Sequence, residues 1–436
     1  MLNNILFLAK KYYLVVGDRF ELFYRGIIKA TNPYQYFIKI TCDKGKPFPR
    51  YFMFLPEEKD VGEFELQLDL INDEGEMIAS KKTTLVVNKP QPPQKKVTIL
   101  CIGDSLTAAG YWTGEGYRRY CHQGGIPNGL GFSKMINLIG LCKYQVGEEL
   151  IGYEGYGGWQ WKSFCTNSLP SKTSSIWVDV MKHNKTEIDQ HSVWNNNGNL
   201  WVLETITEKR LKFKRGPGHK EIVPVILNQF VHDQNAIHQE TIEIEGFAFE
   251  SGNPFWNEEI KDIDFKSYIM TNGFVIPDYI YILLTWNGLS IPYSYEFPIH
   301  QQYATTFIDK IHADFPQCQV RCMGIQINSI NGGIANNYGA KGPYSDLYGT
   351  VTTAFNYNQW LENLCMSEPY REFCQYLDVK GQFDSEYNMP MAPQPVNARS
   401  SITEMIGTNG VHPSLAGYMQ IGDVFYRSLV HELNKK

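Results

Sequence analysis

The run Val97, Thr98, Ile99, Leu100, Cys101, Ile102 is apolar, rich in β-branched residues and six residues long. A run of that kind suits a strand buried on both faces, as in a parallel sheet. Gly103 breaks it, and Asp104, Ser105, Leu106 and Thr107 follow. A strand that turns into a helix at this point leaves Ser105 at the carboxyl edge of the sheet, near a helix N-terminus. Open α/β sheets carry their chemistry at that edge.

The chain has the length to build such a sheet and more. Its 436 residues imply two or three domains, and 43% hydrophobic with 20% charged residues describes a globular protein with a sizeable core. A net charge of -6 without a basic stripe argues against a nucleic-acid partner. The nine cysteines show neither CxxC pairs nor finger spacing, so isolated thiols are expected, with no metal site and no disulfide framework. The first residues, "MLNNILFLAKKYYLVVGDRF", lack a basic leader and a small-residue cleavage site, and their apolar patch is too short to cross a bilayer. They read as the first strand of a folded domain, with no export signal and no membrane association expected.

The sharpest change of composition falls at "NKPQPPQKK", residues 88–96, whose three prolines make a stiff linker over 89–96. Upstream, Phe64, Leu66, Leu68 and Leu70 alternate with Glu65, Gln67 and Asp69, the period of a half-buried strand. Similar short strands make 1–88 an expected Ig-like β-sandwich, a small all-β domain making few contacts across the linker. Residues 97–436 alternate strands and helices, with further strands in "PDYIYILLTW" and "QVRCMGIQI". A β-rich insertion at about 166–260 interrupts that rhythm.

Four segments of 97–436 carry residues suited to one chemistry. Ser105 is a candidate nucleophile. His412, in "TNGVHPSLAGYMQIGDVFYRSL", lies on a loop before an amphipathic helix, from which it can reach the end of the first strand as a base. "EGYGGWQW" offers backbone amides at Gly157 and Gly158, and Asn287 in "YILLTWNGL" offers a side-chain amide, both directed at a developing oxyanion.

In order and type these segments resemble the blocks of the SGNH, or GDSL, hydrolase superfamily. The resemblance implies a flavodoxin-like α/β/α sandwich with a parallel sheet, and ester hydrolysis. It implies Ser105 as nucleophile and first oxyanion donor, Gly158 (in the alternative register Gly157) as the second donor, Asn287 as the third and His412 as base. It requires no metal and no cofactor. Two departures stand out. Thr285, Trp286, Asn287, Gly288 replaces the usual Gly-x-Asn-Asp, and Asn409 holds the place of the acid in Asp-x-x-His. His412 is then oriented by Asn409 or a backbone carbonyl, or served by a distant acid such as Asp384 or Glu404, or the activity is weakened.

The resemblance is nearest to carbohydrate O-acetylesterases with an added β-domain. Trp159, Trp161, Trp194, Trp201, Trp256 and Trp286 among many amides suit a sugar better than an acyl chain, with Asp104, Trp159 and Trp286 as candidate substrate contacts. An acetylated carbohydrate or polysaccharide is the expected substrate. The alternatives are a glycan-binding or structural module, such as a phage virion protein or other homo-oligomeric assembly, and a lipolytic esterase.

Overall fold

A computed structural model describes residues 5–168, 175–180, 192–196, 199–206, 210–215, 229–232, 241–249, 252–289, 297–340 and 347–434. The chain divides into two compact units, one made of Met1–Lys162 with Ile269–Lys436 and the other of Ser163–Tyr268.

The first unit begins with short strands: β1 (Lys11–Val15), β2 (Phe20–Phe23), β3 (Phe37–Thr41), β4 (Lys46–Pro47), β5 (Tyr51–Phe54), β6 (Gly62–Ile71) and β7 (Met77–Asn88). They form a four-stranded sheet, β1-β7-β6-β3, and a three-stranded sheet, β2-β5-β4. The alternation read in β6 has its cause in burial, since Leu66, Leu68 and Leu70 point inward.

These sheets do not stand apart from the chain beyond the prolines. Asp18 accepts from Arg119 at 2.8 Å and from Arg427 at 2.7 Å, and all three side chains are buried. Tyr12 donates to Asp378 at 2.6 Å, and Arg50 pairs with Asp384 and Glu386. The few contacts expected across the linker are therefore corrected. A proline-rich segment fixes local stiffness, whereas contact is decided by which buried charges and apolar faces meet later in the chain.

The central sheet contains β8 (Val97–Gly103), β9 (Ile136–Ile139), β10 (Cys142–Val146), β11 (Glu149–Gly155), β12 (Tyr279–Leu283), β13 (Gln319–Met323) and β14 (Cys374–Leu377). Its order is β10-β11-β8-β12-β13-β14, with β9 beside the first half of β8. Every pairing is parallel except β10 with β11. All seven residues of β8 are buried, as the unbroken apolar run requires.

Helices cover both faces. Val97, Ile99 and Cys101 share a core with α2 (Tyr111–Cys121) and α5 (Leu415–Asn434), where Phe425 meets the rings of Trp112 and Tyr281. Ile102 is in register with Ile282 and Cys322 on the opposite face, where Cys322 meets Cys365 of α4 (Leu347–Met366). The short α1 (Ser105–Ala108) precedes α2, and α3 (Pro298–Asp314) precedes α4. A hairpin of β15 (Met391–Pro395) and β16 (Thr403–Gly407) leads into the loop of His412. Among the described residues no helix is long and apolar enough to cross a membrane.

The second unit contains a closed antiparallel barrel of Ser175–Val180, Val193–Asn196, Asn199–Ile206, Arg210–Arg215, Gln229–His232 and Thr241–Phe249. Val178, Trp194, Trp201, Leu203, Leu211 and Phe213 are buried there. Other parts of the expected insertion, among them residues 181–191, 216–228 and 233–240, lie outside the described residues.

Candidate active site

The turn after β8 forms because Asp104 serves as the N-cap of α1, its side chain accepting the Leu106 amide at 3.0 Å. Gly103 is required there, since a Cβ would collide with Thr107 and with the Leu283 carbonyl. Ser105 is thereby the first residue of a helix at the carboxyl edge of the sheet, and its amide has no acceptor within the helix.

His412 arrives from the other end of the chain. Its Nε2 lies 2.9 Å from Ser105 Oγ, a distance at which it can take the hydroxyl proton. Burial alone moves this imidazole below its ordinary value, so it is neutral at pH 7. No hydrogen bond forms at Nδ1 among the described residues.

Asn409 does not fill that gap. Its Oδ1 accepts the backbone amides of Val411 at 2.9 Å and His412 at 2.8 Å, so it shapes the loop and makes no hydrogen bond to the ring. A three-residue separation suits a side chain turning back on the amides beyond it. The distant acids are elsewhere too. Asp384 pairs with Arg50 and accepts the amides of Glu386 and Tyr387, and Glu404 lies exposed on β16.

The donors gather at the same edge. The Tyr156 amide donates to the Gly103 carbonyl at 3.0 Å and the Trp159 amide to the Tyr156 carbonyl at 3.2 Å, which folds Gly157 and Gly158 into a tight turn. A Cβ on Gly157 would come to 4.0 Å from Ser105 Cβ, so Gly157 faces the serine. Gly158 comes next with φ 81°, and neither glycine amide has a partner among the described residues. Asn287 Nδ2 donates to Asp104 at 3.2 Å and to the Trp159 carbonyl at 3.1 Å. Both amide protons are thus in use, and an oxyanion must replace the Trp159 carbonyl to be held by Asn287.

Asp104, expected as a substrate contact, lies instead beneath the site with no exposed surface. It also accepts from Thr285 N at 2.7 Å and Thr285 Oγ1 at 2.5 Å, and burial, opposed by these hydrogen bonds, pushes its carboxyl up to about 6. Thr285, given no role in the sequence analysis, completes its shell. Trp159 and Trp286 are 5% and 9% exposed, and Trp161, Trp194 and Trp201 are interior. They are poor platforms for a sugar because large rings bury for their area. Tyr338, which follows Asn337, whose side chain accepts the Gly410 amide, is an exposed ring. Among the described residues no cluster of three or more metal-binding side chains occurs.

No protein-family profile matches the chain, and no curated protein matches it in sequence. Among solved structures it is similar to a protein of Streptococcus pneumonia provisionally described as a platelet activating factor, with 11% identity, 77% of this chain and 85% of that chain covered, and a TM-score of 0.32. It is similar to a peptidoglycan O-acetylesterase with 11% identity, 78% and 93% coverage and a TM-score of 0.29. A Bacteroides ovatus mixed-linkage glucan utilization protein, solved with a mixed-linkage heptasaccharide, gives 9% identity, 54% and 42% coverage and a TM-score of 0.15.

Proposed function

We propose that this chain is a serine esterase of the SGNH type, with a flavodoxin-like arrangement of its central sheet. The observation that carries the reading is the 2.9 Å approach of His412 Nε2 to Ser105 Oγ at the carboxyl edge of that sheet. His412 takes the hydroxyl proton as Ser105 Oγ bonds to the ester carbonyl carbon. The oxyanion is held by the amides of Ser105 and of Gly157 or Gly158, and by Asn287 once it releases the Trp159 carbonyl. Collapse breaks the ester C–O bond, and His412 returns the proton to the leaving alcohol. Water then attacks the acyl-enzyme with His412 again as base, releasing the acid and Ser105. An O-acetylated carbohydrate is the proposed substrate, supported by the resemblance of the sequence blocks.

Ser105→Ala tests this directly. Turnover of 4-nitrophenyl acetate should fall by several orders of magnitude, about 10⁶ where a serine nucleophile acts with its base, while the thermal transition is kept. Retention of most activity would remove Ser105 from the reaction. Acetyl esters should also be cleaved far faster than octanoyl esters, and the reverse order would favour the lipolytic reading. One observation favours a glycan-binding module of low activity: the base lacks a carboxylate partner among the described residues. Release of no acetate from any acetylated glycan, with binding retained, would support that second reading.

A further inference from the structure

The loop of His412 is held by side-chain amides on consecutive peptide units. Gln326 Nε2 donates to the Val411 carbonyl at 2.9 Å and Asn328 Nδ2 to the Gly410 carbonyl at 2.8 Å. Asn337 Oδ1 accepts the Gly410 amide at 2.8 Å, and Asn409 takes the next two amides. Gly410 itself lies so close to the Gly333 backbone that a Cβ would collide with it. Both ends of the Gly410 and Val411 peptide planes are therefore fixed before the chain reaches His412.

Gln326 and Asn328 are unusual choices for their places. They lie just beyond β13 and are 0% and 2% exposed, and the carbonyl oxygens of both side chains are buried without a partner among the described residues. Buried amides with an unused acceptor are disfavoured in an interior. What the two share is a donor aimed at the backbone ahead of His412. A base oriented through Nδ1 by a carboxylate could tolerate a looser loop. Here the position of the imidazole depends on where the main chain puts its Cα and Cβ.

We propose that Gln326, Asn328 and Asn337 are positioning residues that take over the task of the missing carboxylate by fixing the backbone of the His412 loop. The proposal rests on the esterase reading above. It assigns no contact with substrate to these three side chains, and predicts that their effect on the reaction passes entirely through His412.

A double-mutant cycle with 4-nitrophenyl acetate tests this. Gln326→Met and Asn328→Leu should each lower kcat by about 10- to 100-fold, with KM within about threefold. In the His412→Ala background the same substitutions should change the residual rate by less than about twofold, because residues acting as a unit are not additive. Losses that add to that of His412→Ala, or no loss of kcat, would overturn the proposal. Asn337 is exposed, so its variants do not depend on the core: Asn337→Leu should lower kcat, and Asn337→Asp, which keeps the acceptor for Gly410, should restore it within about threefold. Equal losses in both would also overturn it. Ser105→Ala separates the two readings. If it stays active the esterase reading fails, and if it is inactive while the Gln326, Asn328 and Asn337 variants keep full kcat, only the positioning role fails.

Discussion

Asn409 Oδ1 accepts the main-chain amide of His412 at 2.8 Å and leaves the imidazole alone. The residue expected from the sequence resemblance to stand in the place of an acid is thus a cap for the loop. Asn409→Asp should keep both backbone bonds, since a carboxylate oxygen accepts as an amide oxygen does, and add a negative charge near the base. That charge favours imidazolium, so the acidic limb of kcat/KM should move to higher pH while the rate at pH 8 stays within about threefold. A change at pH 8 of more than about tenfold would mean that the side chain reaches the ring.

The acidic limb of the wild-type profile should be steeper than one proton explains. His412 is held below its ordinary value by burial and must be neutral to act. Asp104 is pushed up to about 6, and its protonation removes an acceptor from Thr285 and Asn287. Each protonation lowers activity as pH falls, so where the two overlap the slope of log kcat/KM should exceed one. The same raised carboxyl affects stability with a definite sign. Its contribution is complete below the unfolded value near 3.8 and is lost as pH rises through about 6. A limb of unit slope over pH 4 to 6 would show that only one of the two groups titrates there.

Asp18 joins two arginines from distant helices, Arg119 on α2 and Arg427 on α5. Asp18→Ala leaves both guanidinium groups buried with part of their shell gone, which should cost about 3 kcal/mol or more in denaturant unfolding. Truncation to residues 97–436 removes the same carboxylate with the apolar faces of β1 and β7. That fragment should be insoluble or melt well below the full chain. A stable, active fragment would show that the first 96 residues are dispensable to the unit that contains them.

The polarity and period of the sequence made several features legible before any tertiary contact. A short, β-branched apolar run suits a strand covered on both sides, and β8 is one. Gly103 and Asp104 fixed the turn after it through sterics and capping, which are local. The approach of His412 to Ser105, 307 residues apart, was expected from residue type, order and the resemblance of the segments taken together.

What lay beyond the sequence was every relation that depends on where distant chains meet. Asn409 reads the same whether it faces a ring or an amide, and only the path of the loop turns it to the amides. Asp104, Trp159 and Trp286 looked available because residue type carries no depth, and burial removed them from the surface. Gln326 and Asn328 gave no signal, since a buried amide is identified by the carbonyl it finds, and the Gly410 and Val411 carbonyls are more than 80 residues away. The linker likewise spoke for its own stiffness but not for Asp18 between two arginines. Local chemistry is written in neighbouring residues, whereas burial and partnership are properties of the assembled fold.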